Sequence, residues 1–222
     1  MNQGPKFMAE LIGTFALIFF GAGAILQQNA TQAVGITGIA VAHGLAILVC
    51  VYAFGHISGA HFNPCVTFGM AVTRRLSWGD AVTYWIAQLA GASIAAWLLS
   101  LAYPTGAADV HLGAPALGAS ISPMLGMAFE AVLAFMLVIV IFGSAVDPRA
   151  PKGFAGLAIG LTLTANILVG GSLTGASFNP ARAFGPALMA GYWQDHWLYW
   201  VGPMLGGAVA ALLYDRFFLS RA

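Results

Sequence analysis

The sequence predicts an all-α membrane protein with six transmembrane helices and two half-helices in an inverted repeat. Of its 222 residues, 60% are apolar and only 7% are charged, whereas a soluble domain carries about 25% charged residues. Six apolar stretches are long enough to cross a bilayer as helices, which takes about 17–25 residues each. A string of twelve residues also occurs twice, once in each half of the chain.

The apolar stretches place the six spans at 7–27, 34–54, 80–102, 122–145, 154–170 and 196–218. The connections 55–79 and 171–194 are moderately apolar but too short to cross the membrane and return. They therefore predict segments that enter the membrane and leave it on the same side. We treat 1–222 as one transmembrane domain, in which the two repeats cover about 1–103 and 122–222.

Charge and cysteine content restrict the possible partners and chemistry. The formal net charge of +1 gives no basic field that would attract nucleic acid, so the lipid bilayer is the expected partner. Cys50 and Cys65 make no disulfide framework, and neither has metal-ligand spacing to a histidine. We therefore expect no metal and no cofactor. The sequence contains no Ser/His/Asp arrangement and no phosphate-binding loop, so we do not expect an enzyme.

The basic residues predict the orientation in the membrane. If both termini lie on one side, that side carries Lys6, Arg74, Arg75, Arg149, Lys152, Arg216 and Arg221. Only Arg182 then lies on the other side. Because cytoplasmic loops carry an excess of Lys and Arg, both termini are expected in the cytoplasm. The very short tails favour a cell membrane, either plasma or inner.

The repeated string defines the two halves of the chain. SGAHFNPCVTFG (58–69) aligns with TGASFNPARAFG (174–185) at an offset of 116, and seven of the twelve positions are identical. Glu10 in the first span also has a counterpart, Glu130, in the fourth. Each half therefore holds three spans and one loop, and an odd number of spans inverts the second half. Inverted repeats commonly place a conduction or binding site near the bilayer midplane.

The Asn-Pro pair within each string is a helix-start signal. Asn caps a helix with its side chain, and Pro at the first helical position loses no hydrogen bond. Asn63 and Asn179 are therefore each expected to open a half-helix. If the two half-helices reach the midplane from opposite faces, both asparagines meet at the centre of the membrane.

Such a centre suits a small neutral dipole. Backbone at this depth is tolerated only where it is buried in protein or lines a wet cavity, so the strips 58–62 and 174–178 are expected to offer carbonyls to a pore. A water molecule can accept hydrogen bonds from both asparagines, whereas a cation would meet two positive helix ends and Arg182. A proton wire would need the central water to pass its hydrogen bonds on, whereas the two asparagines hold its oxygen in the opposite sense. An ion-coupled secondary transporter is the alternative, because it also uses broken helices in inverted repeats.

These features together resemble the aquaporin (major intrinsic protein) superfamily over essentially the whole chain. The resemblance implies an aquaporin-like right-handed bundle, a homotetramer with one pore per subunit, and passage of water and small neutral solutes. The central pore motifs are Asn63-Pro64-Cys65 and Asn179-Pro180-Ala181. The first departs from the family, which usually has alanine at the position of Cys65.

The resemblance also places the outer constriction, by spacing from the two asparagines, at His43, Ile167, Ala176 and Arg182. Water-selective members resemble Phe/His/Cys or Thr/Arg at these positions, and glycerol facilitators resemble Trp/Gly/Phe/Arg. The set found here resembles the plant tonoplast intrinsic proteins, which are associated with water and ammonia and in some cases urea. We therefore expect a channel for water and ammonia. A strict water channel and a urea or glycerol facilitator are the alternatives.

The resemblance assigns supporting roles to further residues. Glu10 and Glu130 are expected to brace the irregular loops by accepting their backbone hydrogen bonds, although intramembrane carboxylates can also relay protons. His61 is expected to line the inner mouth of the pore. Cys65 is a candidate for block by mercurials near the pore centre, and His111 is a candidate for contact with Arg182 from the outer loop.

Overall fold

The computed structural model describes residues 3–219, and its elements are helices joined by short loops. Arg221, which the orientation argument uses, lies outside the described residues. The helices are α1 (Gln3–Thr31), α2 (Gly35–Ser58), α3 (Pro64–Val72), α4 (Trp78–Ala102), α5 (Gly106–Val110), α6 (Pro123–Ile141), α7 (Ala155–Thr174), α8 (Pro180–Ala190) and α9 (Leu198–Leu213).

The six predicted spans and two half-helices are confirmed. Five described helices are long and apolar enough to cross a membrane, namely α1, α2, α4, α7 and α6 with its extension to Val146. The sixth span, α9, has 16 α-helical residues and continues as five π-helical residues, Tyr214–Phe218. Together they reach roughly 30 Å at about 1.5 Å per residue. The half-helices are α3 and α8, and α5 is a short helix that the sequence reasoning did not predict.

The three spans pack in the same way in both halves, and each half-helix packs against the other half of the chain. In the first half α1 packs against α2 and α4, and in the second α6 packs against α7 and α9. Each half-helix then packs against the last span of the other half, α3 on α9 and α8 on α4. This exchange brings the first turns of both half-helices to the centre of one bundle.

Glycines let the spans approach closely at matching places in the two halves. At the crossing of α2 and α7, a Cβ on Gly44 would lie 2.6 Å from the Gly160 carbonyl oxygen, and a Cβ on Gly160 would lie 2.7 Å from that of Gly44. Gly91 on α4 and Gly206 on α9 meet the backbone of α1 and α6 in the same way. Such contacts exclude any larger residue, which is the packing expected of helices in lipid.

Candidate functional site

Each half-helix begins at the asparagine that the sequence predicts. Asn63 has extended backbone, and its side-chain oxygen accepts from the Cys65 amide at 2.9 Å. Asn179 accepts from the amides of Ala181 and Arg182 at 3.0 and 3.2 Å. Pro64 and Pro180 occupy the first helical position in α3 and α8. The side-chain oxygens are therefore committed to the caps.

The side-chain nitrogens of the two asparagines bind across the centre of the bundle. Asn63 Nδ2 donates to the Phe178 carbonyl at 2.9 Å, and Asn179 Nδ2 donates to the Phe62 carbonyl, also at 2.9 Å. Each loop is thus tied to the capping residue of the other. Because an amide NH2 group carries two hydrogens, each asparagine retains one donor, and both side chains line the central cavity.

The strips ahead of the asparagines adopt a conformation that is costly for residues other than glycine. Ala60 and Phe62 have φ values of 52° and 50°, and Ala176 and Phe178 have 43° and 35°. Residues held in such a region cost about 1–3 kcal/mol each. Because His61 and Ser177 between them have negative φ, the backbone of both strips is irregular. Its amides therefore have no helical hydrogen-bond partner.

The two buried glutamates satisfy these amides. Glu10 accepts from the amides of His61 and Phe62 at 2.9 and 2.7 Å and from the Ser58 hydroxyl at 2.6 Å. Gln88 on α4 adds a fourth donor at 2.7 Å. Both carboxylates are fully buried, so their oxygens are engaged with the loops rather than with the cavity.

Glu130 repeats the arrangement in the second half. It accepts from the Thr174 hydroxyl at 2.6 Å, from the Ser177 amide at 2.9 Å and from the Phe178 amide. The contacts expected of both glutamates are present, and the roles drawn from them remain proposals.

Two tyrosines support the same loops, although the sequence reasoning gave them no site role. Tyr84 OH donates to the Ser58 carbonyl at 2.7 Å, and Tyr199 OH donates to the Thr174 carbonyl at 2.8 Å. They close the C-terminal ends of α2 and α7. The sequence could have indicated this role, because a Tyr-Trp dipeptide occurs at corresponding places in α4 and α9.

The space between the two halves has the shape of an hourglass. Two larger cavities flank a central cavity of about 20 Å³. The one beside the loop that carries His111, here called the outer cavity, has about 300 Å³. The one at the end that carries Lys6, here called the inner cavity, has about 930 Å³. A volume the size of the central cavity holds about one water at a time. The central cavity shares lining residues with both of its neighbours, so the three follow one another along the bundle.

The four residues predicted for the outer constriction come together at one end of the central cavity. His43, Ile167 and Arg182 line both the central and the outer cavity, and Ala176 lines the central one. All four are buried. His43 Nδ1 donates to the Ile39 carbonyl at 2.9 Å, since a carbonyl can only accept. Arg182 Nη1 donates to the Gly113 carbonyl at 2.7 Å, and its Nε has no partner among the described residues.

His61 lines both the central and the inner cavity, opposite the constriction. Its Nδ1 lies 3.1 Å from the Thr67 hydroxyl, and its ring packs edge-on against Tyr84. Ser177, which takes the place of His61 in the second string, also lines the central cavity and donates to the Asn179 carbonyl at 2.9 Å. Sequence reasoning missed Ser177, although its position in the repeat could have indicated it.

Cys65 lies beside the pore centre and His111 lies in the outer cavity, as considered, but their contacts differ from those expected. Cys65 is fully buried and is absent from the lining of the three described cavities. Its thiol lies 3.7 Å from the carbonyl oxygen of Phe178, a residue that lines the central cavity. His111 lines the outer cavity but stacks on Tyr192, and it is the Gly113 carbonyl that contacts Arg182.

A bundle of membrane-spanning helices with two capped half-helices meeting at a narrow central cavity defines a membrane channel. Residues 2–214 match the Major intrinsic protein family, and the chain belongs to that family.

Curated relatives support this membership. The chain is 44% identical to aquaporin TIP4-4 of Zea mays over 96% of its own length and 86% of the relative's. It is 43% identical to probable aquaporin TIP3-2 of Arabidopsis thaliana over 94% and 81%. Among solved structures, the aquaglyceroporin from Plasmodium falciparum matches with a TM-score of 0.86 and 24% identity, covering 97% of each chain. That last likeness concerns the fold alone.

The protein is an integral, multi-pass membrane protein of a family of channels. The expectation of a plasma or inner membrane is not supported, because the relatives are tonoplast-type aquaporins. The short tails on which that expectation depended carry no information about the membrane.

Proposed function

We propose that the protein is a passive channel for water and ammonia that excludes ions and protons, with a pore in each subunit. The observation that carries the proposal is the lining of the central cavity. Polar side chains occur at the constriction, at the two asparagines, at His61 and at Ser177, and the remaining lining side chains are apolar. A narrow wall with few polar groups binds a passing molecule weakly enough to release it.

Water would pass the centre by exchanging hydrogen bonds with the asparagines. The remaining N–H of Asn63 and that of Asn179 can both donate to one water oxygen. Both half-helices also direct their positive ends at this point. The water oxygen is then saturated with donors, so the molecule cannot accept a proton from its neighbour in the file. The same positive field, together with Arg182, opposes cations.

Ammonia would pass because the constriction is half apolar. Two of its four residues, Ile167 and Ala176, are apolar, and the other two, His43 and Arg182, are polar. A neutral molecule the size of water meets a guanidinium and an imidazole there, and it need not satisfy a complete polar ring. We therefore infer that ammonia and water are discriminated weakly, whereas ammonium is excluded by charge.

The hydrogen bonds that the two buried glutamates accept from the loops favour a channel over an ion-coupled transporter. Glu10 and Glu130 are the fully buried carboxylates of the described spans, and both accept hydrogen bonds from loop donors. A coupling ion would have to displace those donors, which would release the strained loops. We propose a structural role for both.

We also propose that both termini are cytoplasmic and that the protein assembles as a homotetramer. Lys6, Arg75 and Lys152 all line the inner cavity, whereas Arg182 borders the outer one, which agrees with the positive-inside rule. The assembly is inferred from the family, with one pore per subunit.

The test is a stopped-flow experiment on proteoliposomes, with an ammonium gradient and an internal pH dye. Internal alkalinisation well above that of empty liposomes, together with fast osmotic water flow, would support the proposal. Water flow without additional alkalinisation would contradict the ammonia claim and leave a strict water channel. Uptake of urea or glycerol at a comparable rate would favour a facilitator, and uptake driven by an ion gradient would favour a transporter.

A further inference from the structure

The outer loop contains a left-handed turn that contacts the constriction. His111, Leu112 and Gly113 have φ values of 50°, 53° and 78°, a run that residues other than glycine rarely adopt. The Leu112 side chain is fully buried and anchors the turn. A Cβ on Gly113 would lie 3.0 Å from Cβ of Ala22, so the turn is held closely against α1.

The half-helix α8 contacts this turn from both of its ends. In its first turn, Arg182 donates to the Gly113 carbonyl at 2.7 Å. Just after its last residue, Gly191 with φ 67° reverses the chain and brings Tyr192 under the loop. The rings of Tyr192 and His111 are nearly parallel, with an interplanar angle of 5° and centroids 3.8 Å apart.

The constriction depends on this turn because Arg182 has little else to hold it. Its hydrogen bond to Gly113 is the one that its guanidinium makes within the described residues, and its Nε has no partner there. The segment just before the turn packs Val110 against the hydrophobic core but is otherwise largely exposed. In it, Asp109 accepts one hydrogen bond, from Asn29, in an exposed position.

We propose that Tyr192 is a positioning residue for the constriction, acting through His111 and Gly113 on Arg182. The stack fixes the exposed side of the turn, as Leu112 fixes the buried side, and the Gly113 carbonyl then holds the guanidinium at a set distance from Ile167 and Ala176. Loss of the stack frees the carbonyl to move, and the constriction widens. The inference rests on the proposed channel function and concerns the solute selectivity of that same pore.

The test compares urea with water permeability in proteoliposomes. Tyr192→Ala removes the stack, and the ratio of urea to water permeability is expected to rise about two- to tenfold, the range that corresponds to one aromatic pair. His111→Ala removes the same stack from the other side and is expected to give the same change. Tyr192→Phe keeps the ring and is expected to restore the wild-type ratio.

Two controls distinguish a specific effect on the position of Arg182 from a general loosening of the outer loop. Trp193→Ala removes the neighbouring aromatic residue, which packs on Phe184 and His196 rather than on the turn, and is expected to leave the ratio unchanged. In an Arg182→Ala background, Tyr192→Ala is expected to add no further increase, because the group that it positions is absent. Coupling of this kind is what a double-mutant cycle measures.

An unchanged ratio in Tyr192→Ala with both permeabilities lowered together would overturn the proposal and leave a merely structural role. An equal rise in Trp193→Ala, or an additive rise in the Arg182→Ala background, would overturn it as well. If the wild type itself passes no water above empty liposomes, the proposed function fails and this inference fails with it. That outcome is distinguishable, because it requires no variant.

Discussion

At the scale of single residues, the width of the constriction depends on atoms that lie behind the pore wall. The ring of His43 lies directly over Gly21 of α1, where a Cβ would come within 2.4 Å of Cδ2 and Nε2. The ring is also fixed from its own helix by the bond from Nδ1 to the Ile39 carbonyl. Gly21 therefore sets how far the imidazole can retreat from the cavity.

Gly21→Ala is expected to lower osmotic water permeability several-fold. The added methyl group forces the imidazole to move toward the narrowest part of the pore, because the backbone on its other side cannot give way. The matched control is Gly23→Ala in the same helix, where the new Cβ would meet only Leu99 Cδ2 at an ordinary 3.5 Å. Equal water permeability in the two variants, at equal protein content by stopped flow, would refute this account of His43.

At the scale of elements, the loops ahead of the half-helices are held by acceptors from another helix. The glutamates Glu10 and Glu130 offset the cost of four residues of positive φ by accepting amides that have no helical partner. An orphaned buried donor costs about 1–3 kcal/mol, which is large against a usual total stability of about 5–15 kcal/mol. We therefore propose that the two glutamates are required for folding.

Glu130→Leu is expected to reduce folded yield and the unfolding temperature in detergent before it changes selectivity. The amides of Ser177 and Phe178 and the hydroxyl of Thr174 lose their acceptor in this variant. Glu130→Gln keeps one acceptor oxygen and is expected to lie between the variant and the wild type. The measurements are yield by size-exclusion chromatography and thermal unfolding, and normal values with unchanged water flux in Glu130→Leu would rule the brace out.

The repeated elements could be predicted from the sequence because each signal occurs twice. The Asn-Pro starts and the two glutamates follow from comparing one half of the chain with the other, and the six spans follow from the length of their apolar stretches. The crossed bonds of Asn63 to Phe178 and of Asn179 to Phe62 could not be predicted. They join residues of different halves, and no local pattern records which loop a side chain will meet.

Features that have no counterpart in the other half could not be predicted from the sequence either. The burial of Cys65 depends on the packing of α3 against α9, where its thiol lies beside Gly207. The left-handed turn at His111 lies in a loop that has no repeat, and the stack with Tyr192 joins it to a residue far along the chain. Long-range contacts of this kind need the assembled bundle.

At the scale of the whole molecule, a clasp at the inner end joins the loop after α6 to the end of α9. The buried carboxylate of Asp147 accepts from Arg149 at 2.6–2.9 Å and from Tyr214 OH at 3.0 Å. Arg149 also donates to the Phe218 carbonyl at 2.6 Å. The hydrogen bonds from Arg149 hold the pKa of Asp147 well below its usual range. Because a depressed pKa favours the folded state, the clasp stabilises the protein whenever the carboxylate is ionised.

Asp147→Asn is expected to lower the unfolding temperature by a few degrees at neutral pH. The contribution of the carboxylate is fully present above the unfolded pKa, about 3.9, and is lost as the pH falls toward the lower folded pKa. The difference between wild type and variant should therefore be constant from pH 8 to about pH 5 and shrink below about pH 4. Asp195→Asn is the control, because Asp195 is a partly exposed aspartate for which the described residues provide no ion pair. A difference that grew on acidification would contradict the assignment.

The measurement that tests the central claim most directly is osmotic water flow together with proton flux in proteoliposomes of the wild-type protein. Two asparagine donors at the end of two half-helices should pass water and interrupt proton transfer. The account predicts shrinkage much faster than in empty liposomes under an osmotic gradient, and no additional proton flux under a pH gradient. Shrinkage no faster than in empty liposomes, or proton flux that accompanies the water, would contradict it.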